Sequence, residues 1–400
     1  MANAGQNSEN HKTRLGILFG GRSGEHEVSL VSAASVMAAL IEDAPDEYEL
    51  VAIGITKAGR LAGEEELCAM LPGSLLGKVS LCPVIEAAGC GMRILPAAPG
   101  AGCEVDVLPE IIFPLLHGPY GEDGTMQGLF EIADIPYIGC GVLASAVAMD
   151  KDVVKRLWAH AGLPVTPWMT VRAADIMGNG NGTGTGGANG GNLTEIRRRA
   201  EEQFGYPMFS KPANLGSSVG VRKIRDAGDF DAALRDSARY DRKVLVEKGI
   251  DAREIECAIL GNLRNRGDLG SFGNEDAAAS VTGEVLSGAE FYDYAAKYAS
   301  TESRTVIPAD IAAEKEEEIR ALAVQAFQAV DGAGLARVDF FIEKGTGKVW
   351  INEINTMPGF TPISMYAKLW AASGVPFPEL IRRLVRLGME RFQDRKRAAD

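Results

Sequence analysis

The segment 337–359 constrains the fold most, because it sets two β-rich runs on either side of a Gly-Thr-Gly turn. Residues 338–342 form the first run and residues 348–354 form the second. Two such runs joined by a short glycine-containing turn are typical of a β-hairpin. The sequence therefore predicts that this segment folds as two adjacent antiparallel strands.

Three oxygen-bearing side chains on this hairpin form a candidate metal site. Glu353 and Asn355 are two residues apart, so they point to the same face of their strand. Asp339 lies on the partner strand, where it could be their cross-strand neighbour. Hard oxygen donors of this kind suit Mg²⁺ that is shared with substrate phosphates. A hairpin with one solvated acidic face fits the same pattern, and the hairpin alone leaves both interpretations open.

Composition narrows the class of protein. With 400 residues, 46% hydrophobic and 24% charged, the chain is long enough for two or three domains with their own cores. The net charge of −13 argues against a surface for nucleic acid or anionic membrane. Six cysteines without a Cys-x-x-Cys pair, and only four histidines, disfavour zinc sites and a disulfide framework. Because neither a signal peptide nor a membrane-length apolar run is visible, we expect a soluble cytoplasmic protein.

The N-terminal region has the pattern of a doubly wound α/β domain. An apolar run at 15–19 precedes a glycine-rich turn and an alanine-rich helix, and a later strand at 110–116 ends at His117. Ligands bind at the carboxyl ends of strands in such sheets, so Glu27 and His117 are expected at the ligand-facing edge. Each also has a structural alternative, since Glu27 could satisfy a helix dipole and His117 could bond to a backbone carbonyl. The turn lacks the G-x-G-x-x-G spacing, so it indicates a dinucleotide site only weakly.

The central part of the chain alternates predicted elements with insertions. A helix is predicted at 145–161, and the proline-containing segment 163–167 marks the first domain boundary. Residues 178–192 are almost wholly Gly, Asn and Thr, which is typical of a flexible surface insertion. The polar segment 262–279 predicts a second loop insertion. The long aperiodic segment 288–305 predicts either a lid or an Ω-loop.

A glycine- and serine-rich loop follows Lys211 and contains Ser217 and Ser218. Backbone amides and hydroxyls in such a loop can surround a phosphate, with the lysine supplying positive charge. An ordinary hairpin turn uses the same residue types. The lysine directly before the loop and the two adjacent serines favour phosphate binding.

Seven motifs occur in one order along the chain. They are Gly20-Gly21-x-Ser23-x-Glu25-His26-Glu27, His117-Gly118-Pro119-x-Gly121-Glu122-Asp123-Gly124, Met149-Asp150-Lys151, Lys211-Pro212 with Gly216-Ser217-Ser218-Val219-Gly220, Tyr292-Asp293-Tyr294-x-x-Lys297-Tyr298, Arg337-Val338-Asp339, and Glu353-Ile354-Asn355-Thr356-Met357-Pro358-Gly359. Together they resemble the D-alanine–D-alanine ligase family of ATP-grasp carboxylate–amine ligases. The resemblance covers residues 15–392, and seven motifs in order are far more specific than any one of them.

The resemblance implies an ATP-grasp fold of mixed α/β and α+β class, with an N-terminal doubly wound pre-ATP-grasp domain. ATP would bind between two sheets, and the protein would be a homodimer. The implied division is a tail at 1–14, the N-terminal domain at 15–147, a lid domain at 148–246 and a C-terminal domain at 247–400.

The implied reaction is the ATP-dependent ligation of two D-alanine molecules to D-alanyl-D-alanine for peptidoglycan precursors. The carboxylate of the first D-alanine would attack the γ-phosphate of ATP, and the amine of the second would then displace phosphate from D-alanyl phosphate. A free carboxylate is a poor electrophile because oxide would have to leave, so phosphorylation supplies the leaving group. The implied cofactors are ATP and two Mg²⁺ ions, with Mn²⁺ as a substitute.

By this resemblance the functional residues fall into four groups. The catalytic residues would be Glu27, Ser217, Tyr298 and Arg337. The substrate-binding residues would be His117, Gly359, Ser364 and Met365. The ATP-binding residues would be Lys151, Lys211, Ser218, Glu247, Lys248, Ile250, Glu254 and Lys297. The metal ligands would be Asp339, Glu353 and Asn355.

The resemblance also implies individual roles. Glu27 would pair with the ammonium of the first D-alanine, held by Ser217 and the lid residue Tyr298. Arg337 would stabilise the oxyanion of the tetrahedral intermediate, a role that needs a fixed cation. Glu254 would reach the ribose hydroxyls.

Several alternatives remain open. A ligase with D-serine or D-lactate as acceptor belongs to the same class. Separately, Ala295 stands where the family's lid motif usually carries a polar or acidic residue, which points to different lid dynamics. Outside this class, a nicotinamide-dependent dehydrogenase stays open because of the first strand–turn–helix. A non-catalytic nucleotide-binding regulator on the same fold is a further alternative. A P-loop kinase is disfavoured, because residues 73–78 fall one residue short of the G-x-x-x-x-G-K-[ST] motif.

Overall fold

The structure, a computed structural model, describes residues 11–82, 108–178, 192–263, 277–286 and 304–399. The strands are Thr13–Gly20 (β1), Tyr48–Ile55 (β2), Ser80–Leu81 (β3), Ile111–Pro114 (β4), Trp168–Arg172 (β5), Met208–Pro212 (β6), Arg222–Ile224 (β7), Lys243–Lys248 (β8), Ala252–Asn262 (β9), Ala277–Leu286 (β10), Arg304–Val306 (β11), Ala333–Glu343 (β12) and Val349–Asn355 (β13).

The helices are His26–Asp43 (α1), Glu64–Met70 (α2), Thr125–Ile132 (α3), Val142–Met149 (α4), Lys151–His160 (α5), Ala173–Met177 (α6), Leu193–Phe204 (α7), Ala227–Ser237 (α8), Ala313–Ala329 (α9), Met365–Ala372 (α10) and Phe377–Ala399 (α11). Within the described ranges, no helix combines the length and apolar character that a membrane crossing needs.

The chain divides into two compact units, which are described separately. Unit 1 comprises residues 1–121, 125–139 and 357–400, and unit 2 comprises residues 122–124 and 140–356. The finer division into an N-terminal, a lid and a C-terminal domain stays a prediction.

Unit 1 is built on a parallel sheet with the strand order β3-β2-β1-β4. Leu15 and Phe19 of β1 are fully buried, as are the residues of β4. Continuous apolar strands are expected where both faces of a parallel sheet are covered. Because β1 and β4 are parallel neighbours, the glycine-rich turn after β1 and His117 after β4 lie at the same edge, as predicted.

The C-terminal segment completes the core of unit 1. Phe360 is fully buried, and its ring lies 5.1 Å from that of Phe113 on β4. The rings of Tyr366 and Phe377 lie 5.9 and 5.3 Å from Phe360. This aromatic cluster attaches α10 and α11 to the sheet.

Unit 2 contains two antiparallel sheets, with the orders β5-β8-β6-β7 and β11-β10-β9-β12-β13. The first sheet packs one apolar face against side chains of α6, α7 and α8. The second packs one apolar face against side chains of α4, α5 and α9, where the Trp158 indole donates to the Ala326 carbonyl at 3.0 Å. Each sheet therefore buries one face in a core and keeps polar side chains on the other.

A short linker covers the outer edge of β13. Val165 forms a parallel bridge with Ile351, whose backbone amide donates to the Pro164 carbonyl at 2.7 Å. The Thr166 amide donates to the Ile351 carbonyl at 3.4 Å. This pairing satisfies backbone groups that an edge strand would otherwise expose, and it fixes Thr166 beside α5.

The hairpin predicted from the sequence is confirmed as β12 and β13. The single helix predicted at 145–161 is wrong, because α4 and α5 are separate helices that meet at Asp150. Asp150 has non-helical dihedrals (φ −87°, ψ 97°), and its carboxylate accepts from the backbone amides of Asp152 and Val153. It therefore caps the N-terminus of α5.

The loop insertion predicted at 262–279 is shorter than expected, because β9 extends to Asn262 and β10 begins at Ala277. Its remainder, 264–276, lies outside the described residues, as do 179–191 and 287–303. Most of the predicted glycine-rich insertion and of the predicted lid falls in these ranges.

We predict that Phe360→Ala lowers the free energy of unfolding by about 3–5 kcal/mol, because it leaves a cavity in the aromatic cluster. Ile363→Ala is the matched control, since Ile363 lies three residues after Phe360 and is 78% exposed. This control should change the free energy of unfolding by less than about 0.5 kcal/mol. Urea unfolding of both variants measures the difference. Equal stability of the two variants would show that the cluster does not anchor the C-terminal helices.

Candidate active site

A β-bulge sets the direction of the acidic side chains on β13. Glu353 pairs with Asp339 and Ile351 pairs with the next residue of β12, so Asn352 is an extra residue between the two pairs. In a regular strand without a bulge, Glu353 would point to the same face as Ile351, because the two residues are two apart. Ile351 is buried in the core of unit 2. The bulge therefore turns Glu353 and Asn355 to the opposite face of the sheet.

The predicted metal ligands are brought together on that face. Asn355 Nδ2 donates to Asp339 Oδ2 at 3.0 Å, and Asp339 and Glu353 are direct cross-strand partners. Two carboxylates and an amide are hard donors that suit Mg²⁺, and three side chains leave positions for substrate phosphates or water. These residues therefore fit a cation that the protein shares with a ligand. Across the ranges that the structure describes, no three His, Cys, Asp or Glu side chains form a metal site by themselves.

Arg337 lies on the same face and is held by two carboxylates. Its Nε and Nη2 donate to the two oxygens of Asp339 at 2.7 and 2.8 Å, and Nε lies 2.9 Å from Glu256 Oε2. Burial by itself lowers the pKa of Arg337, but Asp339 and Glu256 outweigh burial and raise the pKa well above its usual value. Arg337 is therefore a fixed cation at every pH at which the protein is folded.

Two lysines share one buried carboxylate on the polar face of the first sheet. Glu247 Oε1 lies 3.1 Å from Lys155 Nζ, and Glu247 Oε2 lies 2.7 Å from Lys211 Nζ. Lys211 pairs with Leu245, so it is a diagonal neighbour of Glu247 on the same face. Burial raises the pKa of Glu247, but the charges of Lys155 and Lys211 outweigh it and the pKa is lowered. Glu247 is therefore ionised.

Two lysines reach the bulged end of β13. Lys151 Nζ lies 3.6 Å from Glu353 Oε2 and donates to the Leu215 carbonyl at 2.7 Å. Lys211 Nζ donates to Asn352 Oδ1 at 3.4 Å. Positive charge from α5 and β6 thus lies next to the acidic face of the second sheet.

The loop after β6 contains two consecutive strained residues. Ser217 and Ser218 have φ values of 51° and 56°. Non-glycine residues rarely adopt this left-handed conformation, which costs about 1–3 kcal/mol per residue and is concentrated at ligand-binding sites. A plain hairpin turn would have glycine at these positions, so the geometry favours a ligand-binding loop.

The residues predicted for the adenine and ribose pocket lie on the connection between the two sheets. Glu247 and Lys248 end β8, and the Lys248 amide donates to the Pro167 carbonyl at 3.0 Å. Ile250 is half-buried in the turn, and Glu254 follows on β9. Both sheets therefore contribute to the place predicted for the nucleotide base.

His117 is buried in unit 1 and is neutral. Its Nδ1 donates to the Met357 carbonyl at 3.1 Å, so Nε2 is the acceptor for the Ser32 hydroxyl at 3.1 Å. Burial lowers the pKa of His117, although the charge of Glu25 partly opposes this. The Ser23 hydroxyl donates to the His117 carbonyl at 2.6 Å and ties the glycine-rich turn to the end of β4. The expected bond to a backbone carbonyl is thus present.

Glu27 lies on the surface of unit 1, where its carboxylate is 2.6 Å from Lys57 Nζ. This hydrogen bond lowers the pKa of Glu27. Its side chain is 73% exposed and that of Lys57 is 68% exposed, so Lys57 can move away without breaking a core contact. Lys297 and Tyr298 lie outside the described residues, and their roles stay predictions.

Ser364 and Met365 lie at the start of α10 in unit 1, and Gly359 lies next to the Ser364 side chain. The Ser364 hydroxyl donates to the Thr361 carbonyl at 2.6 Å and accepts from the Thr361 amide at 3.1 Å. Met365 is the first residue of the helix. Three of the four predicted substrate-binding residues therefore lie close together in unit 1.

Sequence reasoning missed Lys155 and Glu256. Lys155 follows Lys151 by four residues, so both lie on one face of α5. Glu256 alternates with Glu254 on β9 and therefore shares its face. These spacings were visible in the sequence, but the burial of Lys155 was not.

Comparison with known proteins identifies the family. The family model for the D-ala D-ala ligase N-terminus matches residues 14–140, and the model for the D-ala D-ala ligase C-terminus matches residues 157–386. This chain belongs to the D-alanine–D-alanine ligase family. The D-alanine–D-alanine ligase of Acetivibrio thermocellus is 44% identical over 97% of this chain and 99% of the relative. The D-alanine–D-alanine ligase of Heliobacterium modesticaldum is 43% identical over 97% of this chain and 98% of the relative.

Solved structures of the family confirm the fold. The D-alanine–D-alanine ligase from Coxiella burnetii has a TM-score of 0.74 at 33% identity and covers 97% of each chain. The VanG D-Ala:D-Ser ligase from Enterococcus faecalis has a TM-score of 0.73 at 31% identity, over 94% of this chain and 100% of the other. The predicted ATP-grasp fold with an N-terminal α/β domain is thereby confirmed, and the dehydrogenase alternative is rejected.

Proposed function

We propose that this protein is an ATP-dependent C–N ligase that joins two D-alanine molecules to D-alanyl-D-alanine for peptidoglycan precursors. The observation that carries the proposal is the match to D-alanine–D-alanine ligases over nearly the whole length of both chains. The bulged hairpin adds chemical support, because it holds Asp339, Glu353 and Asn355 together with Arg337 on one face.

In the first step, a carboxylate oxygen of one D-alanine attacks the γ-phosphorus of ATP. The bond from this phosphorus to ADP breaks, and D-alanyl phosphate forms. Lys151 and Lys211 would offset the negative charge of the phosphates, since both are held next to β13. The strained backbone at Ser217 and Ser218 would surround the γ-phosphate.

We assign metal binding to Asp339, Glu353 and Asn355, with two Mg²⁺ ions as the natural occupants and Mn²⁺ as a substitute. When bound, these ions neutralise phosphate charge and favour in-line transfer. The three side chains supply only part of a coordination shell, which suits ions that bind together with ATP.

In the second step, the amine of the other D-alanine attacks the carbonyl of D-alanyl phosphate, and phosphate leaves. Arg337 would stabilise the oxyanion of the tetrahedral intermediate, because Asp339 and Glu256 hold its charge in place. Glu27 would pair with the ammonium of the first D-alanine and exchange the cation of Lys57 for it. Neutral His117 would lie near that substrate, and the turn of Gly359, Ser364 and Met365 would seat the second carboxylate.

The remaining pocket residues would bind the rest of the nucleotide. Lys248 and Ile250 lie on the connection proposed to receive adenine, and Glu254 would accept from the ribose hydroxyls. Lys297 and Tyr298 would close over the site from the lid. A homodimer in the cytoplasm, with no nucleic-acid or membrane partner, completes the proposal.

A D-alanine–D-serine ligase is the second candidate. The structural similarity to the D-Ala:D-Ser ligase of Enterococcus faecalis supports it. The acceptor must therefore be determined by experiment, and D-lactate belongs in the same comparison.

We predict that the purified protein releases phosphate from Mg-ATP with D-alanine but not with L-alanine or without an amino acid. Mass spectrometry should detect D-alanyl-D-alanine as the product. D-serine and D-lactate should be compared as acceptors over a range of pH. An amine acceptor must be deprotonated to attack, so its rate should rise with pH, whereas a hydroxyl acceptor does not need this deprotonation. ATP binding without phosphate release in any mixture would contradict ligation and indicate a regulator on the same fold.

We predict that Glu353→Gln raises the Mg²⁺ concentration needed for half-maximal activity and lowers turnover at least about tenfold, equal to about 1.4 kcal/mol. The melting temperature should change little, because Glu353 is partly exposed and outside the core. Glu343→Gln, at the turn end of the β12–β13 hairpin, is the matched control and should alter neither quantity. Parallel losses of turnover and melting temperature in Glu353→Gln would indicate a structural role.

A further inference from the structure

Lys155 is a buried charge to which the proposed mechanism gives no role. It is 1% exposed, and its Nζ contacts Glu247 Oε1 at 3.1 Å. The same Nζ donates to the Thr166 hydroxyl and lies 5.8 Å from the centre of the Trp168 ring. These contacts fix the ammonium group on the side of Glu247 away from Lys211.

The charges around Glu247 do not balance. Lys211 Nζ lies 2.7 Å from the other oxygen of the same carboxylate, so two cations share one anion. The carboxylates of Glu353 and Glu254 act on Lys211 from further away, and Glu353 also lies 3.6 Å from a third lysine, Lys151. Among the groups in direct contact, the two lysines therefore outnumber the single carboxylate of Glu247.

Stability alone does not account for Lys155. Removing an ammonium group from water is unfavourable, and a well-packed apolar side chain often replaces a buried ion pair without loss of stability. Lys151 and Lys155 are also like charges four residues apart on one helix, which is unfavourable in an isolated helix. One lysine would suffice for a structural pair with Glu247. The second cation therefore needs a functional explanation.

We propose that Lys155 is a positioning residue that neutralises Glu247, so that the charge of Lys211 stays available for an anionic ligand. The ligand class is a nucleoside polyphosphate, and the inference rests on the proposed function through the assignment of Lys211 to ATP. Without Lys155, Glu247 would neutralise Lys211 instead. The protein would then keep its pocket for adenosine but lose attraction for the phosphates.

The test compares the binding of ATP and of adenosine to the whole protein by calorimetry, with the same Mg²⁺ and without D-alanine. Lys155→Met should weaken ATP binding at least about tenfold, because one positive charge is lost in a water-poor site. Adenosine binding should change by less than about twofold, since adenosine carries no charge. Lys155→Arg, which keeps the charge, should retain most of the preference for ATP. Lys344→Met, which breaks an exposed pair with Asp251, is the matched control and should change neither affinity.

The double variant Lys155→Met/Glu247→Gln separates charge from packing. It removes the cation and the anion together, so Lys211 regains its net charge and the preference for ATP over adenosine should return. The double variant also contains no buried carboxylate at position 247, so it can test the proposal even if Lys155→Met does not fold. An equal loss of ATP and adenosine binding in Lys155→Met, or no recovery in the double variant, would overturn the proposal.

The failure of the ligase reaction would look different. If the wild-type protein prefers ATP to adenosine but releases no phosphate with D-alanine, the proposed reaction fails while the role of Lys155 is still tested. If the wild-type protein shows no preference for ATP, the role of Lys155 is overturned.

Discussion

The pairing of β12 with β13 around the bulge at Asn352 is the constraint on which the acidic site depends. Strand periodicity alone would send Glu353 to the same face as Ile351, into the apolar core. The extra residue shifts the periodicity and leaves Ile351 and Ile354 buried on one side, with Glu353 on the other. A shift of one residue would bury the acid and expose the core, so the packing of unit 2 and its chemistry specify the same register.

The charged residues of the first sheet of unit 2 are also placed by strand alternation. The strand β8 places Val244 and Val246 in a core, and it places Lys243, Leu245 and Glu247 on the other face. Two ion pairs join this face to α5 and its N-cap: Asp150 with Lys243, and Lys155 with Glu247. These ion pairs lie on the face of the sheet that we propose binds the phosphates of ATP. Such pairs add little stability, but they fix the positions of buried charged groups such as Lys155, Lys243 and Glu247.

The sequence revealed the hairpin and the shared direction of Glu353 and Asn355, because strand periodicity is local. It also revealed the glycine-rich turn and His117 at one edge of a parallel sheet, because that edge follows from strand direction. It could not reveal the bulge at Asn352, which depends on pairing between residues distant in sequence. The break between α4 and α5 was missed because a capping aspartate inside a helical pattern resembles an ordinary surface acid. The burial of Lys155 could not be predicted either, because a lysine is rarely buried unless it is paired, and its partner Glu247 is distant in sequence.

The central claim is that ATP activates the carboxylate of D-alanine, and oxygen transfer tests it most directly. D-alanine labelled with ¹⁸O in its carboxylate is incubated with Mg-ATP and the protein, and the released phosphate is analysed by mass spectrometry. If the carboxylate attacks the γ-phosphorus and the carbon–oxygen bond breaks when the amine attacks, each released phosphate carries one oxygen from D-alanine. Phosphate without label, formed together with the dipeptide, would mean that the carboxylate is never phosphorylated and would contradict the mechanism.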